Sequence, residues 1–171
     1  MPIPIPVPVP VQPIVVPVAE PLHGGNMPSH NHQSTMSDHG RLPFVCDVVH
    51  AAKCNENFRT TIWTGKYAQM TLMSINAGDD VGLEIHPDTD QVLFVAEGQG
   101  VARMGRSEAM LTFQENVRPG SAIFVPAGTW HNVVNTGRTP LKLYTLYAPP
   151  HHAFGTVHKT KKDAEHEDIV S

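Results

Sequence analysis

Glu84 and His86 flank Ile85 in the run Gly82-Leu83-Glu84-Ile85-His86. On an extended strand, residues two apart point to one face about 7 Å apart, so a carboxylate and an imidazole here suit two ligands of one divalent ion. The opposite register would leave Glu84 solvated, turn His86 outward with it, and bring Leu83 and Ile85 inward. His23, His30, His32 and His39 lie among Gly, Ser and Asn. They lack the spacing of a structural metal site and read as a polar linker that takes Ni²⁺ or Cu²⁺ only adventitiously. Cys46 and Cys54 bracket a short helical stretch whose rise of about 12 Å is beyond disulfide reach, which makes them free thiols and fits a reducing, cytoplasmic compartment. Arg103, Arg106 and Lys142 are the nearby candidates to hold the phosphate of a phosphate-bearing substrate, and spacing alone places none of them at the site.

Several short elements must position these groups. Half of the 16 prolines fall within the first 21 residues, where proline alternates with Val and Ile. Proline lacks the N–H of a sheet ladder, so the alternation predicts a polyproline arm rather than a strand. The His/Ser/Gly-rich run that follows has too little apolar bulk to bury, and residues 1–43 are expected to form a disordered arm. From Phe44 the composition becomes that of a globular domain. Asp47 caps a predicted helix through Val48, Val49, Ala51 and Ala52. Nine β-favouring runs follow: 60–63, 67–75, 82–86, 91–96, 100–104, 110–113, 121–125, 131–134 and 141–147, with Gly or Pro in almost every gap. Without long helices between them, they predict an all-β antiparallel sandwich or barrel over residues 44–149. Residues 150–171 mix both charge signs and read as a polar, solvated extension.

Two stretches carry a resemblance to the cupin family. The first is GDDVGLEIHPDTDQVLFVAEG, in which Gly78 leads through five residues to Glu84-Ile85-His86 and Gln91 stands seven before Gly98. The second is GSAIFVPAGTWHNVVN, where Gly120, Pro126, Gly128, His131 and Asn135 match the family's second motif at every position. The resemblance implies a double-stranded β-helix, or jelly-roll barrel, holding one divalent metal ion (Zn, Fe, Mn or Ni) through Glu84, His86, Gln91 and His131. Glu84 stands where cupins usually place a first His, and Gln91 where they usually place Glu, so the ligand charge is moved rather than lost. Asp90, beside Gln91, is the harder alternative ligand if a bulge turns it inward. Asn135 reads as a turn residue, and Phe94, Phe124, Trp130, Tyr144 and Tyr147 as core or pocket wall. The family is commonly dimeric, which implies a homodimer.

The net charge of −4 and pI of about 6.2 supply no basic stripe for nucleic acid. No apolar run is long enough to span a membrane. Three activities fit such a site. The first is a metalloenzyme acting on a small polar substrate such as a sugar or sugar phosphate, in the manner of the small cupins resembling mannose-6-phosphate isomerase. The second is an Fe(II) dioxygenase. The third is a non-catalytic metal- or sugar-binding module that the proline-rich arm attaches to a surface or spore layer.

Overall fold

The computed structural model describes residues 36–168; the polyproline run and His23, His30 and His32 lie outside them. In chain order the elements are α1 (Val48–Cys54), β1 (Arg59–Thr64), β2 (Gln69–Ile75), β3 (Asp90–Glu97), β4 (Gly100–Gly105), β5 (Phe113–Val117), β6 (Ala122–Val125), β7 (Trp130–Asn135), β8 (Leu141–Ala148), β9 (Val157–His158) and α2 (Lys161–Asp168). A six-stranded antiparallel sheet, β6-β3-β8-β2-β1-β9, faces a three-stranded one, β5-β4-β7. This is the expected all-β barrel.

Helix α1 forms where expected: the Asp47 carboxylate accepts from the His50 N–H at 2.9 Å, satisfying one orphan donor of the first turn. Its Ala52 packs with Ile62, Leu72 and Ala96 on the outer face of the larger sheet. Two predicted strands differ. The 82–86 run makes only an isolated bridge, Glu84 to His131, and opens on Gly82, whose φ of +105° lies outside the extended region of a regular strand. The 110–113 run belongs to the turn after β4, where the Met110 N–H donates to Ser107 O at 3.0 Å. The strand proper is Phe113–Val117, paired with β4 from Met104↔Phe113 to Gly100↔Val117. There cross-strand pairing overrides the weak β-propensity of Gln114-Glu115-Asn116.

Cross-strand register sorts the barrel interior into two halves. At one end Ile75 and Leu141 pair, then Met73 and Leu143; with Val95, Ala102, Val117 and Val133 they form a continuous apolar core. Toward the other end the same faces carry Thr61↔Thr71, Thr71↔Thr145 and Gln69↔Tyr147, and Gln91↔Tyr147. Asn135 closes the apolar end, its amide donating to Ile75 O, Asn76 O and Thr139 O at 2.9–3.1 Å. It does the work of several turn hydrogen bonds at once.

The described flanks rest on the barrel. Asp38 accepts from Thr64 Oγ1 and from the Gly155 N–H, and the His39 N–H donates to Ile62 O. Residues 150–168, polar by composition, contribute β9 beside β1 and α2, whose Thr160 and Asp163 cap each other reciprocally and whose Ala164 joins the core. Lys161 binds Asp79 at 3.1 Å and also Asp80. No helix among the described residues is long and apolar enough to cross a membrane.

Candidate metal centre

The polar end of the barrel brings Glu84, His86 and His131 together. Glu84 is held by a two-way backbone exchange with His131: its N–H donates to His131 O at 3.0 Å and its O accepts from the His131 N–H at 2.9 Å. His86 is fixed from the 126–129 turn, where the Gly128 N–H donates to His86 O at 2.8 Å. Gly128 has a φ of +74°, a backbone state that other residues adopt at a cost. His86 and His131 are buried and Leu83 is exposed. The inward register of Glu84 and His86 is therefore the one adopted.

Glu84 Oε1 lies 3.3 Å from His86 Nε2 and 3.3 Å from His131 Nε2. His131 Nδ1 sits 2.9 Å from Thr129 O; a carbonyl only accepts, so Nδ1 carries the proton and Nε2 of the neutral ring carries a lone pair. That lone pair faces a carboxylate oxygen, an arrangement that is repulsive unless a cation lies between them. The donor set therefore fits a divalent ion, and two imidazoles with one carboxylate suit Fe(II) or Zn²⁺. Burial pushes the Glu84 carboxyl up, but the His131 and His86 rings that face it and the Arg59 charge outweigh it and hold the carboxyl well below the usual range. Glu84 is ionised at neutral pH.

Gln91 is 1% exposed on the interior face, its amide beside the Tyr147 phenol. Asp90 points away; it is exposed and accepts from the Ala127 N–H at 2.9 Å. Of the cations named from sequence, none reaches this end of the barrel interior. Arg103 is exposed, opposite Asn132 on the outer face. Arg106 is exposed beside a groove of about 710 Å³ between β5 and β6, which Glu84, His86 and His131 do not line. Lys142 binds Asn55 O at the end of α1. Phe94 and Tyr144 stack on the outer face, ring centroids 4.8 Å apart.

Four residues that sequence reading gave no chemistry surround the trio. Arg59 is 4% exposed, and its charge acts on Glu84, Tyr147 and His152. Tyr147 is fully buried; burial pushes its phenol up to about 12, so it is a proton donor at neutral pH. The ring of His151 lies 4.1 Å from that of His86, and His152 packs edge-on to Tyr147 at 5.0 Å. Burial pushes the His152 imidazole down to about 2, with Arg59 and His151 adding to the effect, so it is neutral. Gln69 fixes this pair: its Oε1 accepts from the His151 and His152 N–H groups at 3.2 and 2.9 Å, and its Nε2 donates to His152 O at 2.9 Å. The available signal was an alternation, Arg59-x-Thr61 and Thr145-x-Tyr147, with a polar group at each inward position.

A cupin-type double-stranded β-helix with a candidate metal centre at its polar end is thus the class that fold and site define. Residues 71–147 match the Cupin domain model. The protein YrkC of Bacillus subtilis strain 168 is 59% identical over 129 residues, 75% of this chain and 69% of that one. L612 of Acanthamoeba polyphaga mimivirus is 35% identical over 115 residues, 67% of this chain and 70% of its own. The crystal structure of BH2720 from Bacillus halodurans superposes with a TM-score of 0.75 at 55% identity, covering 76% of this chain and 98% of that one. The chain belongs to the cupin family.

Proposed function

We propose that this cupin holds one divalent ion through Glu84, His86 and His131, with Gln91 as a neutral fourth donor, and acts on a small polar substrate admitted to the barrel interior. The observation that carries the reading is the convergence of two imidazole nitrogens on one carboxylate oxygen at 3.3 Å, with the opposite nitrogen of His131 committed to Thr129 O. When bound, such an ion supplies Lewis acidity toward a carbonyl or hydroxyl oxygen. Around it, Arg59 balances the Glu84 charge, Tyr147 offers a phenolic proton, and Gln69 orients the His151-His152 pair. An isomerase acting on a sugar phosphate would need cations for the phosphate. Arg103, Arg106 and Lys142 stand away from the polar interior, which favours an unphosphorylated substrate. The trio of two histidines and one carboxylate also favours a second reading, an Fe(II) dioxygenase.

Metal analysis of full-length protein purified without a His-tag or nickel column tests the site. One divalent ion per chain is expected in the wild type, none in His86→Ala or His131→Ala, and a partial loss in Gln91→Ala. Full occupancy in His131→Ala would sink the assignment. Activity screens in the presence of Fe(II) and O₂ separate the second reading from the first through O₂ consumption.

A further inference from the structure

The structure assigns a second binding site to the groove between β5 and β6, for an elongated molecule with an apolar body, a cationic group at one end and an anionic group at the other. It lies apart from the metal centre and is independent of the metal reading.

The groove follows from how the two sheets end. β6 is the edge of the larger sheet and β5 the edge of the smaller one, so each is paired on one side only and no ladder closes the barrel between them. The seam encloses about 710 Å³, within the roughly 300–1,000 Å³ that holds a small organic molecule. Its floor is the core itself. Ala102, Val117 and Ile123 line the groove and belong to the apolar cluster against which Met104 packs. On the rim, Phe113 and Phe124 are 47% and 67% exposed. Two solvated phenylalanines beside a laterally opened core form a contiguous apolar surface, the kind that marks an interaction site because its area is better removed from water.

Charge selects the occupant. Among the lining residues only Glu115 and Arg106 carry a charge. Glu115 shares the inward face of β5 with Val117, so its carboxylate belongs to the seam and not to the outer surface. It stands opposite Ala102 on β4, whereas Arg106 follows four residues further along the chain; at about 3.3 Å per residue their levels differ by about 13 Å. Neither takes part in an ion pair among the described residues. At that separation salt screens them from each other, so each is free to meet a ligand group of opposite sign. An ammonium suits the Glu115 end, where Phe113 adds an aromatic face, and a carboxylate suits the Arg106 guanidinium. A wholly apolar occupant would desolvate both charges without replacing what they lose. Linear ω-amino acids of about eight carbons span most of the interval and lay their methylenes on the apolar floor.

Calorimetric titration of ω-aminooctanoate, octylamine and octanoate into full-length protein tests this, with metal content measured on every sample. The zwitterion should bind at least threefold more tightly than either singly charged analogue, a modest ratio because both protein charges are partly solvated. Chelator-stripped protein should bind it within about twofold of metal-loaded protein, since Glu84, His86 and His131 do not line the groove. Glu115→Gln should weaken octylamine and the zwitterion about threefold and leave octanoate unchanged. Arg106→Gln should weaken octanoate and the zwitterion to the same extent and leave octylamine unchanged. Both residues are exposed, so neither variant should move the melting temperature. Phe113→Ser should weaken all three ligands together. No binding at millimolar concentration, equal affinity for the three ligands, or charge variants that leave their order unchanged overturns the site. Affinity that disappears with the metal overturns it too, because the carboxylate would then be seated on the ion.

Discussion

The two halves of one barrel interior are built on opposite rules. Leu143 and Thr145 are consecutive inward residues of β8, both fully buried, yet the first sits in a continuous apolar cluster and the second presents a hydroxyl with no protein partner. One half is finished by folding alone. The other buries hydroxyl groups that no protein atom satisfies, so equal burial contributes less to stability there than in the apolar half.

Substitutions can break this contrast. Leu143→Ala should cost about 2–5 kcal/mol, the usual result of a core cavity, measured by urea unfolding of metal-free protein. A loss below 1 kcal/mol would mean the apolar half is not tightly packed. Asn135→Ala tests a polar group that is satisfied. It removes three donated hydrogen bonds at the apolar end and should cost about 2–4 kcal/mol, since the carbonyls it serves lose their partner.

His152 sharpens the comparison through pH. Its folded imidazole titrates near 2 against about 6.5 in the unfolded chain, so between those values the unfolded state binds the extra proton. Stability should fall as pH drops below about 6.5, by about 1.4 kcal/mol per pH unit from this residue. His152→Gln should flatten the pH dependence of metal-free protein by about that slope between pH 6 and 5; an unchanged slope would mean His152 takes up its proton without unfolding. The smallest effect belongs to Thr145→Val, which exchanges an unpartnered hydroxyl for a methyl. Metal-free stability should change by less than about 1 kcal/mol, with stabilisation the expected sign. A loss of several kcal/mol would show that the hydroxyl has a fixed partner and that the halves are not built differently.

Much of the fold was legible because its signals are local. Asp47 marked the helix start, and Gly120, Pro126, Gly128, His131 and Asn135 marked the turn and strand that present the second histidine. Glu84 and His86 were legible as a pair because strand alternation links them even where no ladder forms. The rest depends on pairing between distant segments. Arg59 and Tyr147 are 88 positions apart in the sequence, and only the β1-β2-β8 register puts both on one interior face. The His151-His152 pair looked like polar tail because its anchor, Gln69, lies more than 80 residues earlier. The strand placed at 110–113 was misread for a related reason: Gln114-Glu115-Asn116 become strand through β4, not through their own propensity.

The bond from His131 Nδ1 to Thr129 O has a consequence for how this site can vary. Its acceptor is a main-chain atom, so replacing the Thr129 side chain does not delete it. A side-chain partner such as an aspartate would be one codon from failure, whereas this one is shielded from point mutation at its own position. The vulnerability moves to whatever shapes the backbone there, above all Gly128 with its positive φ. Drift should therefore be freer at residue 129 than at 128, although it is residue 129 that touches the histidine.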